Sequence, residues 1–315
     1  MDGVLVLLKP PGLTSHDAVT LVRRASGEKR VGHAGTLDPG AAGVLVLLLG
    51  QAVRLSEYLM SSRKRYRAEL TLGVSTDTQD AFGRVLRETE VPALALEKIE
   101  EVLAGFVGEI WQTPPSYSAL KKGGRRLYEL ARAGETVEVE PRLVTIYRLT
   151  LLEKVEGGPH PRFLLDVECS RGTYVRTLCA DIGEKLGVGG HLSFLLRVAS
   201  GPLGLERALT LEEILALSHS AELQERLLSL AEALPDWPQI TVSEKEKEVV
   251  GHGRPLWRRA QKGLGREVQD PGGPSRVGEG LVKVCTEDGQ LLALAVAEEK
   301  AGGYLYRMKK VFRER

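Results

Sequence analysis

The sequence predicts an α+β fold, and three observations lead to that class. Segments 4–8, 44–49 and 65–72 are continuously apolar or alternate with a period of two, as β-strands do. Segments 15–25 and 94–103 instead repeat their apolar residues with helical spacing. Strands and helices do not alternate steadily along the chain, which disfavours a parallel βαβ architecture.

The N-terminal half contains most of the predicted elements. In chain order they are strand 4–8, turn 9–12, helix 15–25 capped by Ser15 and closed by Gly27, strand 44–49, helix 52–60, strand 65–72 and helix 94–103. In strand 65–72, Tyr66 shares one face with apolar residues, while the arginines and Glu69 occupy the other.

The C-terminal half is predicted to end in a separate domain. Its elements are strand 163–169, a helix from a Thr173 cap to about Leu186, an acidic helical region 211–234, and a hairpin of strands 281–285 and 290–297 turning at Gly289. Two prolines within 235–238 end helix formation and predict a boundary between domains 1–237 and 238–315. The Gly- and Pro-rich segment 260–280 predicts a surface loop.

Composition excludes several classes of protein. Hydrophobic residues make up 43% of the chain and charged residues 27%, as in globular proteins, and no apolar run is long enough to cross a bilayer. The first residues lack the basic region of a signal peptide. Three cysteines without CxxC spacing disfavour a disulfide framework and a structural zinc site. We therefore expect a cytoplasmic protein with buried thiols and no membrane association.

The charge distribution is more informative than the net charge of +1. Residues 238–315 hold 15 Lys and Arg against 11 Asp and Glu, an excess of +4. Basic clusters recur along the chain, at 23–30, 63–67, 121–126 and 307–315. Each alone is typical of a solvated face, whereas several on one surface would form a track for phosphates. The sequence leaves that choice open.

One loop points to chemistry. Segment 32–43 reads GHAGTLDPGAAG and contains a single acid, Asp38, among small residues that let a flat partner approach the backbone. Pro39 fixes its own φ angle and disfavours helical geometry at Asp38. An Asp-Pro pair is also a common turn former, so the residue types alone leave a structural role open for Asp38.

The wider pattern resembles the TruB family of stand-alone pseudouridine synthases, which modify uridine 55 in the T loop of tRNA. Five motifs occur in family order: KPPGLTS at 9–15, GHAGTLDP at 32–39, PPSYSALK at 114–121, SRGTYVRT at 170–177 and HLSFLLR at 191–197. The resemblance implies a mixed, largely antiparallel sheet flanked by helices, the pseudouridine synthase fold. It also implies isomerisation of uridine without cofactor or metal.

The resemblance assigns roles to particular residues. Asp38 becomes the catalytic nucleophile or the electrostatic partner of the reaction, and Arg176 the ion-pair partner that keeps its carboxylate charged and oriented. Whether Asp38 attacks C6 of the base, attacks C1′, or stabilises charge on the sugar stays open. Tyr66 matches a tyrosine that stacks on the target base and exchanges a proton at C5, although its strand position suits a core tyrosine equally well.

Further matches concern substrate binding and support. Tyr174 and Leu195 match positions that line the target nucleotide, and His33 the residue that fills the stack after the base is flipped out. Lys9 and Pro10 are expected to brace the catalytic loop. Tyr174 and Arg176 can both reach one site only if Tyr174 lies at the turn into the helix.

The alternatives concern partners rather than fold. Residues 238–315 resemble a small β-rich PUA-like RNA-binding domain, although a purely structural β-domain is also compatible with them. A guide-dependent rRNA pseudouridine synthase is one rival function, disfavoured because the first motif lies near residue 1. A tRNA-folding chaperone is another, and it could coexist with catalysis. We expect a monomer that binds the T stem-loop of tRNA and needs no obligate protein partner.

Overall fold

The computed structural model describes residues 1–118, 120–133, 135, 138–155, 157–259 and 280–313. They fall into two compact units that are discontinuous in sequence. The first unit combines 1–38, 44–62 and the chain from residue 200 onward, and the second combines 39–43 with 63–199. Asp38 therefore ends one segment of the first unit, and the chain enters the second unit at Pro39.

The strands are β1 (Gly3–Lys9), β2 (Val31–His33), β3 (Ala42–Leu49), β4 (Lys64–Leu72), β5 (Val74–Thr76), β6 (Val85–Glu88), β7 (Gly108–Gln112), β8 (Lys121–Lys122), β9 (Arg125–Arg126), β10 (Arg142–Val155), β11 (Arg162–Cys169), β12 (Gly190–Ser200), β13 (Leu203–Gly204), β14 (Gln239–Thr241), β15 (Leu256–Arg259), β16 (Leu281–Cys285), β17 (Leu291–Lys300) and β18 (Gly303–Val311).

The α-helices are α1 (Ser15–Ser26), α2 (Ser56–Ser61), α3 (Leu96–Ala104), α4 (Leu127–Arg132), α5 (Val175–Lys185), α6 (Leu211–Ala216), α7 (Ala221–Glu225) and α8 (Glu244–Gly251). Short 3₁₀ helices cover Gly50–Leu55 and Leu205–Arg207.

The second unit is built on a sheet in the order β12-β4-β11-β10-β7. β4, β11, β10 and β7 pair antiparallel, and the first residues of β3, Ala42 and Gly43, run parallel to Leu196 and Arg197 of β12. Helix α5 packs against β4, and α3 packs against β10. The sheet is mixed and mainly antiparallel, so the predicted α+β class is confirmed.

The first unit contains β1, β2 and the apolar part of β3, together with a five-stranded sheet in the order β14-β16-β17-β18-β15. One core joins them: Val4 and Val46 of the N-terminal strands belong to the same buried cluster as Leu281 and Leu294. A second cluster, on α8 and the five-stranded sheet, contains Val250, among others. The predicted boundary between residues 237 and 238 stays a prediction.

Most predicted elements are confirmed within a few residues, including the hairpin of β16 and β17. Two caps differ from prediction. Thr14 caps α1 in a capping box with Asp17, which leaves the Ser15 side chain to bond elsewhere. Tyr174, rather than Thr173, is the N-cap of α5. Segment 52–60 divides into a 3₁₀ helix and α2.

The predicted helical region 211–234 is wrong in its extent. Only α6 and α7 form, and they are separated at His219, which adopts a left-handed φ of 58°. After α7, Leu228 exchanges two backbone hydrogen bonds with Val4 of β1, at 2.8 and 2.9 Å. Pairing with a strand takes up the peptide groups that a continuing helix would need.

Within the described residues, no helix is long and apolar enough to span a bilayer. All three cysteines are buried and free of disulfide bonds, as predicted. Of the predicted loop 260–280, residues 260–279 lie outside the described residues, as does Ala119 of the third motif.

Candidate active site

The loop before Asp38 is fixed to the start of α1. The Ser15 hydroxyl donates to the carbonyl oxygen of Leu37 at 3.0 Å and accepts from the peptide N–H of Leu37 at 2.9 Å. Both residues are buried, with 3% and 4% of their surface exposed. One side chain thus satisfies both peptide groups of the residue that precedes Asp38, and Asp38 itself is partly exposed.

Lys9 organises the turn that leads into α1. Its side chain is fully buried, and its ammonium donates to the carbonyl oxygens of Pro10 and Leu13, each at 2.8 Å. A buried ammonium needs such acceptors, because leaving it without hydrogen bonds costs several kcal/mol, on the order of the desolvation penalty of an ion. Lys9 and Pro10 therefore shape the turn that presents Ser15.

His33 ends the short strand β2. This strand pairs antiparallel with β3, His33 lying opposite Leu47, and the peptide N–H of Ala34 continues the pairing to Val46 at 2.9 Å. Gly35 then turns the chain with a φ of 112°, a conformation that favours glycine. The sheet thus positions His33 five residues before Asp38, at the start of the loop.

The segment that follows Asp38, residues 39–43, packs closely against other residues of the second unit. A Cβ atom at Gly43, where φ is 109°, would lie 2.2 Å from the carbonyl oxygen of Arg197. A Cβ atom at Gly40 would lie 2.1 Å from Cε2 of Phe82. Glycine at both positions allows the segment that follows Asp38 to lie against β12 and against the phenyl ring of Phe82, whose surface is 77% exposed.

The loop that carries Phe82 is held by Asp80. One carboxylate oxygen of Asp80 accepts from the Thr78 hydroxyl at 2.6 Å and from the Phe82 peptide N–H at 3.0 Å. Gln79, which lies between Thr78 and Asp80 in the sequence, has a φ of 63°, and its side-chain oxygen accepts from the Thr177 hydroxyl at 2.8 Å. A non-glycine residue in this conformation costs roughly 1 kcal/mol or more, so the surrounding contacts hold the loop.

Arg176 joins this loop to the start of α5. Its guanidinium lies 3.5 Å from the second carboxylate oxygen of Asp80 and donates to the carbonyl oxygens of Thr78 at 3.1 Å and Tyr117 at 3.0 Å. Arg176 is only 5% exposed. Arg176 lies in the first turn of the helix, where the helix dipole disfavours a cation, and the carboxylate of Asp80 offsets that cost.

Tyr174 lies at the turn into α5, as the prediction required. Its φ and ψ of −99° and 105° are extended, and Gln112 bonds both of its peptide groups: Tyr174 donates its N–H to Gln112 at 2.7 Å and accepts from Gln112 at 3.0 Å. Gln112 is 2% exposed. The last residue of β7 thus fixes the backbone from which Tyr174 and Arg176 project.

Tyr66 and Leu195 occupy neighbouring strands, β4 and β12, and both are buried at 9% and 8% exposure. Lys64, two residues before Tyr66 and on the same face of β4, is 6% exposed. Burial, reinforced by the positive charge of Arg197, lowers the pKa of Lys64 to about 7. The face of β4 that carries Tyr66 therefore combines a buried tyrosine with an amine whose pKa lies near 7.

The structure divides the predicted residues between the two units. Lys9, Pro10, His33 and Asp38 belong to the first, and Tyr66, Tyr174, Arg176 and Leu195 belong to the second. Within the second unit a continuous set of contacts runs from the segment after Asp38, through Phe82 and Asp80, to Arg176. The roles predicted for these residues stay predictions.

Sequence reasoning missed four supporting residues, Ser15, Asp80, Phe82 and Gln112. The sequence predicts Ser15 as a helix cap and gives no role to the other three, because the residues they contact at the site are distant in sequence.

Comparison with known families agrees with this geometry. Residues 23–175 match the model of the TruB family pseudouridylate synthase N-terminal domain, and residues 176–235 match that of the tRNA pseudouridylate synthase B C-terminal domain. Among solved structures, the protein in "Crystal Structure of a Cbf5-Nop10-Gar1 Complex" aligns with 99% of this chain and 85% of its own length, at 29% identity and a TM-score of 0.71. The fold is therefore that of the pseudouridine synthases.

Sequence relatives narrow the class. A protein named "tRNA pseudouridine synthase B" from Symbiobacterium thermophilum is 54% identical over 253 residues, covering 80% of this chain and 82% of the relative. One of the same name from Geobacillus thermodenitrificans is 43% identical, covering 99% of this chain and 100% of the relative. The chain belongs to the TruB family and is a pseudouridine synthase, an isomerase.

Proposed function

We propose that this protein converts uridine 55 in the T loop of tRNA to pseudouridine, with Asp38 as the catalytic nucleophile. The observation that carries the proposal is the two-sided fixation of the Asp38 loop. Ser15 holds the residue before it, and the glycines after it pack against Phe82 and Arg197. A partly exposed carboxylate on a fixed loop is suited to attack on a substrate that enters from solvent.

The tRNA substrate is supported by the relatives, which are named tRNA pseudouridine synthase B and align over most of both chains. The target base must leave its stack before a carboxylate can reach it, which costs a few kcal/mol, on the order expected for base flipping. We assign His33 to the vacated stack and Tyr174 and Leu195 to the pocket around the flipped nucleotide.

The reaction is redox-neutral and balances within the substrate. The N1–C1′ bond breaks, the uracil rotates, and a C5–C1′ bond forms, while C5 loses a proton and N1 gains one. Asp38 acts on the substrate as a carboxylate, and Arg176 keeps that carboxylate charged and oriented. Asp80 and Thr78, which bind Arg176, hold the guanidinium in place for that role. Tyr66 stacks on the base and takes part in proton exchange at C5.

The remaining features are assigned as follows. Residues 238–315 form a PUA-like RNA-binding domain, supported by their excess positive charge and by the β-rich five-stranded sheet. We also propose that the protein acts as a cytoplasmic monomer without an obligate protein partner.

The test is incubation of the purified protein with an unmodified tRNA transcript, followed by position-resolved detection of pseudouridine. We expect pseudouridine at position 55 alone and without added cofactor. Asp38→Asn should abolish the product and leave tRNA binding largely intact. Full activity of Asp38→Asn would refute the catalytic role, and binding without any product in the wild type would favour a tRNA-folding chaperone.

Arg176→Ala separates catalysis from affinity. Because Arg176 is assigned to the carboxylate rather than to RNA, we expect kcat to fall by about 100-fold or more, in the range of a lost charge-stabilising group, with little change in the dissociation constant. Arg24→Ala, an exposed arginine on α1, serves as the matched control. A loss confined to affinity would contradict the assignment.

A further inference from the structure

A basic groove lies in the first unit, and none of the residues assigned to chemistry lines it. Its volume is about 600 Å³. The side chains that line it include five cations and one amide: Arg30, Gln51, Arg54, Lys309, Lys310 and Arg313. The groove thus brings together basic clusters from the two ends of the chain, which the sequence alone could not assign to one surface.

Part of this charge holds the groove together. Lys310 donates to the carbonyl oxygen of Arg54 at 2.7 Å and pairs with Glu57, and Arg54 donates to the carbonyl oxygen of Val311. Gln51 exchanges hydrogen bonds with the backbone of Arg313, accepting its N–H at 2.8 Å. These contacts fix the end of β18 against the 3₁₀ helix, so the groove is a built feature of the unit.

The other three cations of the groove are open to solvent. Arg30, Lys309 and Arg313 are exposed, and their positive charges converge on the groove. Two acidic residues lie near these cations: Glu57 pairs with Lys310, and Asp2 accepts from the Gln51 peptide N–H at 2.7 Å. They leave an excess of positive charge in the groove. Like charges held together repel one another, an arrangement that a bound polyanion would relieve.

The position of the groove indicates which polyanion. The carbonyl oxygen of Arg30 accepts from Gly50 at 2.8 Å, and β2 begins at the next residue and ends at His33. Three residues of strand span about 10 Å, so the groove lies roughly one such length from the start of the Asp38 loop. A nucleic-acid strand that reaches the loop can continue along the same unit into the groove.

We propose that this groove binds backbone phosphates of tRNA that lie outside the T stem-loop. This inference rests on the proposed function, because it assumes that the Asp38 loop receives an RNA. The arginine and lysine side chains would contact phosphate oxygens and thereby position the RNA without reading its sequence.

The test compares Arg30→Glu/Lys309→Glu with Arg207→Glu/Arg226→Glu, a control that makes the same charge change at exposed residues outside both the groove and residues 238–315. Dissociation constants are measured across a salt series for a full tRNA transcript and for a hairpin of the T stem-loop alone. For the groove variant we expect tRNA affinity to fall about tenfold or more and the salt dependence to weaken by about two counterions, as expected for two lost phosphate contacts. Hairpin affinity and turnover should not change.

The outcomes separate this inference from the proposed function. Equal losses for tRNA and hairpin, no loss for either, or an equal loss in the control variant would each overturn the groove assignment. Unchanged turnover of the hairpin shows that the groove variant is folded. Absence of pseudouridine in the wild type would refute the proposed function, whereas a selective loss of tRNA binding would still identify an RNA site in the groove.

Discussion

The hydroxyl of Ser15 offers a direct test of how the candidate site is held. Ser15→Ala removes one oxygen atom and both hydrogen bonds to Leu37, the residue that precedes Asp38. The peptide N–H and carbonyl of Leu37 are then left in a buried position, since both residues are almost fully enclosed. The perturbation acts on the loop and does not touch the carboxylate.

The magnitude follows from the two bonds. Leaving a buried donor or acceptor unsatisfied costs about 1–3 kcal/mol, so losing both hydrogen bonds predicts a loss of roughly 2–6 kcal/mol in the local stability of the loop. A loop that shifts by about 1 Å to recover hydrogen bonds would cost up to about 100-fold in rate, because the carboxylate is no longer aligned with its target. We therefore expect kcat to fall by about 10- to 100-fold with KM for RNA nearly constant.

The assay is single-turnover and steady-state formation of pseudouridine in tRNA, with urea unfolding of the same samples. Ser26→Ala is the matched control: it makes the same change on the same helix, where the hydroxyl donates to the carbonyl oxygen of Val22 four residues earlier. Ser15→Thr retains a hydroxyl and should recover part of kcat. Turnover of Ser15→Ala within twofold of the control would refute the view that Ser15 positions the Asp38 loop.

Three further predictions follow from the second unit. Asp80→Asn should lower kcat about tenfold with unchanged RNA affinity, since Arg176 loses a charged partner; a change confined to affinity would contradict this. The pKa of Lys64 is lowered to about 7, so between pH 7 and 10 the unfolded chain binds the extra proton and stability rises with pH. Lys64→Met should remove this rise in the free energy of unfolding, as measured by urea unfolding at several pH values. A rise identical to that of the wild type would contradict the lowered pKa of Lys64. Gly43→Ala should destabilise the protein by several kcal/mol, about the sum of left-handed strain and a clash with the Arg197 backbone. The control is Gly172→Ala, at a left-handed glycine with open space around it, which should cost only about 1–2 kcal/mol. Equal losses in the two glycine variants would show that the clash is relieved.

Elements with a strong local pattern were predictable from the sequence. The alternation of β4, the apolar run of β3 and the Asp-Gly turn between β16 and β17 each carry their own signal, and the structure confirms all three. The segment 211–234 was not predictable in this way. Its helical composition competes with backbone pairing between Leu228 and Val4, and the partner strand is more than two hundred residues away.

The same distinction applies to the candidate site. Asp38 is visible in the sequence because the motif around it is continuous, and the condition placed on Tyr174 could be stated in advance because it concerned one helix turn. Its supporting contacts join residues 22, 62 and 96 positions apart: Ser15 with Leu37, Gln112 with Tyr174, and Asp80 with Arg176. Each such pair forms only when distant segments meet, so no local pattern contains it. Substitutions at residues remote from the motif should therefore change kcat as strongly as some substitutions within it, because the position of the carboxylate depends on all the contacts that hold the loop.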